Sequence, residues 1–308
     1  MKWDIPIEES VHPGNLGCQA CGGALAMRLA LKALGRDTVV VIPACCWSII
    51  DGAWPTHVLK VPVFHTAFET AAIMATGIKA AKDYQGKETT VMAWAGDGGT
   101  FDIGIQALSG AAERNEDIIY AVYDNEAYMN TGIQRSSSTP FGAWTSTTPD
   151  ERPESRPKKN IMEIMAAHRI PYAATATPAY PEDMFRKFAR AKGLRGTRFI
   201  HILAGCPPGW KMASEVAIKA MRFAVQSHIF PLYEIEDGER LTMSYWPEPE
   251  LDPEVYFKLQ GRFRPLFEVP ERLAAVKRFI AANWEGLVRK HERAHPAEKP
   301  EERLRALR

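Results

Sequence analysis

The sequence has no long apolar run. Nowhere in its 308 residues is there a stretch long enough to cross a bilayer. The opening Met1-Lys2-Trp3-Asp4-Ile5-Pro6-Ile7-Glu8-Glu9 lacks the apolar core of a secretory leader. An excess of either charge is missing too. The 38 basic and 37 acidic side chains leave a formal +1, which gives no pull toward nucleic acid or an anionic membrane surface. Cysteine is scarce, at five residues, too few to hold a chain of this length as a disulfide scaffold. No internal repeat and no low-complexity segment is present. No G-x-G-x-x-G follows a strand-like run, so a dinucleotide fingerprint is also absent. The expectation is a soluble cytoplasmic protein with neither a membrane nor a nucleic-acid partner.

What is present is a 46% apolar composition, enough for a sizeable core. The length suits one large α/β domain carrying an extension. Composition changes near Pro231, which divides the chain into an expected α/β domain over 1–228 and an extension over 229–308. In that extension Leu232 to Met243 alternates around Asp237-Gly238 and reads as a hairpin. A terminal helix is expected from about Glu271 to His291, with the charged last residues frayed.

Chemistry concentrates between Val91 and Gln134. Val91-Met92-Ala93-Trp94-Ala95 reads as a buried strand and ends in Gly96-Asp97-Gly98-Gly99. Ile103, Ala107, Leu108 and Ala111 then fall at helical spacing. A second strand-like run, Ile118 to Tyr123, ends in Asp124-Asn125-Glu126. In open α/β sheets this edge is where ligands bind. Adjacent strands lie about 4.8 Å apart, so the Asp97 carboxylate and the Asn125 amide oxygen can share one ion. Mg²⁺ commonly takes one or two protein ligands and fills its shell with phosphates and water. A helix starting after Gly99 would favour those phosphates. Taken alone, Gly-Asp-Gly also fits an ordinary turn before a helix.

The cysteines form a second constellation. Cys18 and Cys21 make a C-x-x-C pair before a helix with Leu25, Leu29, Ala30 and Ala33 on one face. Cys45 and Cys46 follow the strand Val39-Val40-Val41-Ile42, and Cys206 follows Phe199 to Leu203. Thiolates at such positions suit zinc or an iron–sulfur cluster. The C-x-x-C alone also fits a redox pair, and buried free thiols fit all five. Arg135 to Thr145 is polar and broken by Gly and Pro, the pattern of an active-site loop. The Lys/Arg face of the helix from Glu182 to Lys192 reads as solvated.

Gly96-Asp97-Gly98, with Asn125 at the next strand end, resembles the thiamine diphosphate motif of thiamine-dependent enzymes. The run from Asp124 through Ala127-Tyr128-Met129-Asn130-Thr131 to Gln134 is similar to the β subunits of pyruvate:ferredoxin oxidoreductase (pyruvate synthase) and its 2-oxoacid relatives. The likeness covers most of residues 14–270. It implies the thiamine-diphosphate-binding α/β fold: a mainly parallel, doubly wound sheet with helices on both faces and a C-terminal extension. It implies a cofactor site of Gly96, Asp97, Gly98, Gly99, Asn125, Ala127, Tyr128, Asn130 and Thr131. Asp97, Asn125 and the Ala127 carbonyl would hold Mg²⁺, and Asn130 would lie near the reacting centre as the catalytic residue. One [4Fe–4S] cluster would be held by Cys18, Cys21, Cys46 and Cys206. Cys46 is preferred to Cys45 because the family usually reads Thr-Gly-Cys where this chain has Ala44-Cys45-Cys46.

The two cofactors belong together for a physical reason. Thiamine stabilises the electron-rich carbon left by decarboxylation, and a one-electron acceptor beside it can withdraw those electrons singly. The implied reaction is oxidation of pyruvate with coenzyme A to acetyl-CoA and CO2, with electrons passing to ferredoxin. Other 2-oxoacids (2-oxoisovalerate, 2-oxoglutarate) and oxalate are the alternatives. A non-catalytic metal- or cluster-bearing scaffold subunit is the reading from another class, and Asp97, Asn125 and Asn130 stand against it. The implied partners are an α subunit, γ and δ subunits or fusions of them, and ferredoxin. In the family the glutamate that activates thiamine comes from the α subunit. Glu69 and His65 are therefore expected to be structural.

Overall fold

The computed structural model describes residues 5–297. The start of the N-terminal arm (1–4) and the charged end of the chain (298–308) lie outside the described residues. The strands are β1 Thr38–Pro43, β2 Val63–Thr66, β3 Thr90–Gly96, β4 Ile119–Asp124, β5 Tyr172–Ala176, β6 Arg198–Leu203, β7 Tyr233–Glu236 and β8 Arg240–Met243. The helices are α1 Gly22–Leu34, α2 Cys46–Asp51, α3 Ala71–Tyr84, α4 Ile105–Glu113, α5 Ile161–Ala167, α6 Pro181–Gly193, α7 Pro207–Trp210, α8 Ala217–Gln226, α9 Glu254–Phe257, α10 Arg264–Glu268 and α11 Pro270–Ala294.

The eight strands form one sheet in the order β2-β1-β3-β4-β6-β5-β7-β8. β1 to β6 run parallel, and the β7–β8 hairpin adds antiparallel to β5. β1, β4, β5 and β6 are buried along their whole length, as parallel strands covered on both faces must be. Their side chains alternate between two cores. Val40, Ile42, Met92, Trp94, Ile119 and Tyr123 face α1 and α6. Val41, Val91, Ala93, Tyr120, Val122 and Phe199 face α3, α4 and α5. Trp47 and Trp94 meet edge to face at 6.3 Å in the first core. Burying each such side chain contributes roughly 1.5–3 kcal/mol.

The hairpin turns through Asp237 (φ 50°) and Gly238 (φ 72°), the two-residue geometry that matches strand twist. Its inner side chains Tyr233, Ile235, Leu241 and Met243 share a core with Leu287 of α11. The extension thus continues the main sheet. Among the described residues no helix is long and apolar enough to cross a membrane.

Several local expectations change. The buried line of α1 runs through Ala26, Met27, Ala30, Leu31 and Leu34, whereas Leu25 and Ala33 are half-buried. Two glycines let α1 approach its neighbours closely. A Cβ on Gly22 would lie 2.5 Å from the Gly205 nitrogen, and one on Gly23 would lie 3.1 Å from the Tyr123 ring. The turn after Asp97 is π-helical over Gly98–Asp102, so α4 begins only at Ile105 and Ile103 faces outward. β2 gives little sequence signal because it is an edge strand with half-exposed side chains. Lys187 of α6 is buried, donating to the Thr175 carbonyl, Asp183 and Ser244 at 2.6–2.8 Å. Helix periodicity reports which face is polar and carries no information on these partners.

The chain leaves β1 toward β2 and β3 toward β4, so the sheet order reverses between β1 and β3. That reversal opens a crevice beyond the carboxyl ends of β1, β3 and β4.

Candidate active site

A cleft of about 200 Å³ fills this crevice. Its lining includes all nine residues expected around the cofactor: Gly96, Asp97, Gly98, Gly99, Asn125, Ala127, Tyr128, Asn130 and Thr131. Ala44, Cys45, Cys46, Phe68, Tyr123 and Met129 complete it. A larger groove of about 420 Å³ lies between the hairpin and α11, lined by surface ion-pairing residues such as Glu163 and Lys290. None of the expected site residues lines it.

Close packing dictates the glycines. A Cβ on Gly98 would meet the Tyr128 ring at 2.2 Å, and one on Gly104 would meet the Gly99 carbonyl oxygen at 2.0 Å. Tyr128 is in turn fixed by donating its hydroxyl to Asp102 at 2.7 Å. The second wall follows β4, where Glu126 adopts φ 71° between Asn125 and Ala127.

Asp97, Asn125 and Ala127 converge. One end of the Asn125 amide lies 2.9 Å from the Ala127 carbonyl oxygen and 3.1 Å from Asp97 Oδ1. With its nitrogen there, the amide donates to both. With its oxygen there, that oxygen stands beside both the Asp97 and the Ala127 oxygens. Octahedral Mg²⁺ with bonds of 2.0–2.1 Å sets neighbouring ligand oxygens about 3 Å apart, which is the spacing found. The donor set therefore fits a small hard cation.

The electrostatics agree. Asp97 is buried, which raises its carboxyl well above the usual range, and the Asp124 charge raises it further. A hydrogen bond from Ser136 to Asp97 Oδ2 and the Lys158 charge only partly oppose this. Burial would also raise Asp124, but the Lys158 ammonium and His201 overcome it and hold that group low. Asp124 accepts from His201 Nε2 at 2.7 Å and from the Ser138 hydroxyl at 2.6 Å. A cation at the Asp97 oxygen would favour its charged form.

The cysteines gather at the same edge. Cys21 precedes α1, Cys46 opens α2 and Cys206 precedes α7. The Gly22 N–H donates to the Gly205 carbonyl at 2.9 Å, which ties the Cys21 turn to the Cys206 turn. Burial pushes the Cys46 thiol up to about 12, with Cys45, Cys206 and Cys21 adding to the shift. Cys206 is likewise pushed up to about 12 by burial, with Cys21 and Cys18 adding. Cys18 is exposed. Cys45 stands beside Cys46, and its thiol caps α2 at the Ser48 N–H and bonds the Tyr123 side chain. Among the described residues no three His, Cys, Asp or Glu side chains are close enough to hold a single metal ion.

Other expected residues lie apart. Glu69 is exposed and outside the cleft lining, and His65 bonds Asp51 at 3.2 Å. Asn130 stands exposed at the mouth, its amide 3.5 Å from the Cys45 carbonyl. Sequence reasoning missed Ser136, Ser138, Lys158 and His201 behind the site, and Trp210 and Arg262 beside it. The polar run from Arg135 carried a signal for the two serines. Trp210, which donates to the Asn125 carbonyl at 2.8 Å, was legible only as the end of the Cys206-Pro207-Pro208-Gly209-Trp210 run.

Comparison with known proteins follows from this geometry. Residues 46–202 match the family described as thiamine pyrophosphate enzyme, C-terminal TPP binding domain. The chain is 48% identical over 296 residues to ketoisovalerate oxidoreductase subunit VorB of Pyrococcus furiosus, covering 92% of this chain and 94% of that one. It is 47% identical over 287 residues to pyruvate synthase subunit PorB of Methanocaldococcus jannaschii, covering 90% and 95%. Among solved structures, a 2-oxoglutarate:ferredoxin oxidoreductase from Magnetococcus marinus matches with a TM-score of 0.57 at 20% identity, over 70% of this chain and 79% of that one, a likeness of fold. The chain belongs to the family of β subunits of thiamine-dependent 2-oxoacid:ferredoxin oxidoreductases.

Proposed function

We propose that this chain is the cofactor-bearing catalytic β subunit of a pyruvate:ferredoxin oxidoreductase, forming acetyl-CoA and CO2 from pyruvate and coenzyme A. The observation that carries the reading is the convergence of Asp97, Asn125 and Ala127 in one cleft with Cys46. Asp97 Oδ1, the Asn125 amide oxygen and the Ala127 carbonyl would hold Mg²⁺ and, through it, the diphosphate. Gly96, Gly98, Gly99, Tyr128, Asn130 and Thr131 would frame the cofactor. Cys18, Cys21, Cys46 and Cys206 would hold the [4Fe–4S] cluster. The hydrogen bonds of the Cys45 thiol to Tyr123 and the Ser48 N–H favour Cys46 as the third ligand. When bound, thiamine diphosphate supplies carbanion stabilisation and the cluster a one-electron sink.

The chain's own residues do the holding. Ser136 fixes one Asp97 oxygen and leaves the other turned to Asn125. Tyr128 and Phe68 wall the cleft from bulk water, their rings 6.0 Å apart. The exposed Asn130 amide makes only a long contact to Cys45 and is free to meet substrate. Among the described residues Asp97 is the only carboxylate in the lining. A partner α subunit would supply the activating glutamate, with γ and δ subunits or their fusions and ferredoxin completing the electron path.

The similarity to VorB, at 48% identity against 47% for PorB, favours 2-oxoisovalerate as a second substrate reading. The test is viologen reduction by the anaerobically purified complex with pyruvate, 2-oxoisovalerate, 2-oxoglutarate and oxalate, each with and without coenzyme A. Coenzyme A-dependent turnover fastest on pyruvate is expected. Preference for 2-oxoisovalerate would install the second reading, and turnover of oxalate without coenzyme A would overturn both.

A further inference from the structure

Arg262 comes from the C-terminal extension, yet it is buried to 2% exposure beside the cleft. Nη2 donates to Glu126 Oε2 at 2.5 Å and to the Tyr256 hydroxyl at 3.1 Å, and Nε donates to Gln260 at 2.9 Å. The guanidinium carbon stands 4.2 Å from the centre of the Trp210 ring. Burying a charge is unfavourable unless it is paired and hydrogen-bonded, and here every contact falls on one of two turns or on the extension itself.

The first turn is Asn125-Glu126-Ala127. Glu126 holds φ 71°, a conformation non-glycine residues keep only when their surroundings impose it. Its carboxylate is gripped by Arg262 and by Lys158 at 3.0 Å. The second turn is Cys206 to Trp210. The Trp210 backbone N–H donates to the Cys206 carbonyl and its indole N–H donates to the Asn125 carbonyl, both at 2.8 Å. The extension is anchored on both sides of Arg262: the Trp144 N–H donates to the Arg262 carbonyl at 2.7 Å, and the Gly261 N–H to the Lys211 carbonyl at 2.9 Å. One side chain therefore grips the turn carrying Asn125 and Ala127 and, through the Trp210 ring, the turn that begins at Cys206.

We propose that Arg262 is a positioning residue that sets the geometry of both constellations together, so that its loss weakens diphosphate–metal binding and disturbs the Cys206 ligand at once. The inference rests on the reading of Asn125 and Ala127 as metal ligands and Cys206 as a cluster ligand. Its test uses Arg262→Met, Arg262→Lys and Trp210→Phe in the intact complex. The readouts are the thiamine diphosphate Kd with Mg²⁺ after stripping, the electron paramagnetic resonance spectrum of the reduced cluster, iron content and Tm.

Arg262→Met is expected to weaken thiamine diphosphate binding by about 10–100-fold, the usual effect of losing a partner behind a metal ligand, and to shift the g values of the cluster. Arg262→Lys should recover only part of the affinity, because an ammonium can reach Glu126 but cannot make the fork or lie flat on Trp210. Trp210→Phe keeps the ring and loses the indole N–H, and should move both readouts less. Native Kd and native spectrum in Arg262→Met, or in Arg262→Lys should the first variant fail to accumulate, would reduce Arg262 to a packing residue whatever the Tm. A wild-type complex that bound neither thiamine diphosphate nor iron would overturn the underlying site reading instead.

Discussion

The two adjacent cysteines differ in their hydrogen-bond partners, and the proposed cluster ligation turns on which of them serves. Cys46 lies in the field of Cys21 and Cys206, whereas Cys45 is spent on the Ser48 N–H and Tyr123. Cys46→Ser should therefore strip most iron from the complex, and Cys45→Ser should retain it. Iron and sulfide analysis of the two variants decides this, and the reverse pattern would exchange their assignments. Asp97 yields a pH prediction. Burial and Asp124 raise its folded-state carboxyl pKa when no metal is bound. A raised carboxyl favours the folded protein while protonated, and that contribution is lost as pH rises above the ordinary value of about 4. Mg²⁺ needs the ionised form, so protons and metal compete. The apparent affinity for Mg²⁺ with thiamine diphosphate should rise with pH across the weakly acidic range. Titrations at a series of pH values check this, and a flat profile would remove Asp97 from the ligand set.

At the level of elements, the strand–helix–strand unit around the cleft was legible because its parts obey short periodicities. Val91 to Ala95 and Ile118 to Tyr123 are apolar runs, and the polar residues that end them, Asp97 and Asn125, fall where an α/β sheet binds ligands. The hairpin was legible through Asp237-Gly238. What escaped depends on distant contacts. The Tyr128 ring leaves no room for a side chain at Gly98, nor do Gly205 at Gly22 and Tyr123 at Gly23 without a shift. Lys187 resembles any solvated lysine until Asp183, Ser244 and the Thr175 carbonyl surround it. Arg262 lies in a segment that reads as simple packing. The hairpin supplies its own prediction. A Cβ on Gly238 would combine a φ of 72° with a 2.3 Å approach to the Ala166 carbonyl oxygen. Backbone strain of this kind costs about 1–3 kcal/mol, so Gly238→Ala should lower Tm by several degrees in calorimetry while leaving thiamine diphosphate affinity unchanged. An unaltered Tm would show that the turn relaxes freely.

On the scale of the whole molecule, one sheet edge carries both constellations. The Cys46 turn ends β1, the Asp97 turn ends β3, the Asn125 turn ends β4 and the Cys206 turn follows β6, with Gly22 clamping Cys21 beside Gly205. Under the proposed reading, this placement would set an electron donor beside an electron acceptor. The cleft lining holds a single carboxylate, Asp97, among the described residues. The most direct test of the central claim is to measure thiamine diphosphate content and the iron–sulfur absorbance of the Asp97→Ala complex beside wild type. The account predicts loss of bound thiamine diphosphate and of turnover, with the cluster chromophore retained. Full thiamine diphosphate occupancy and unchanged turnover in that variant would contradict it.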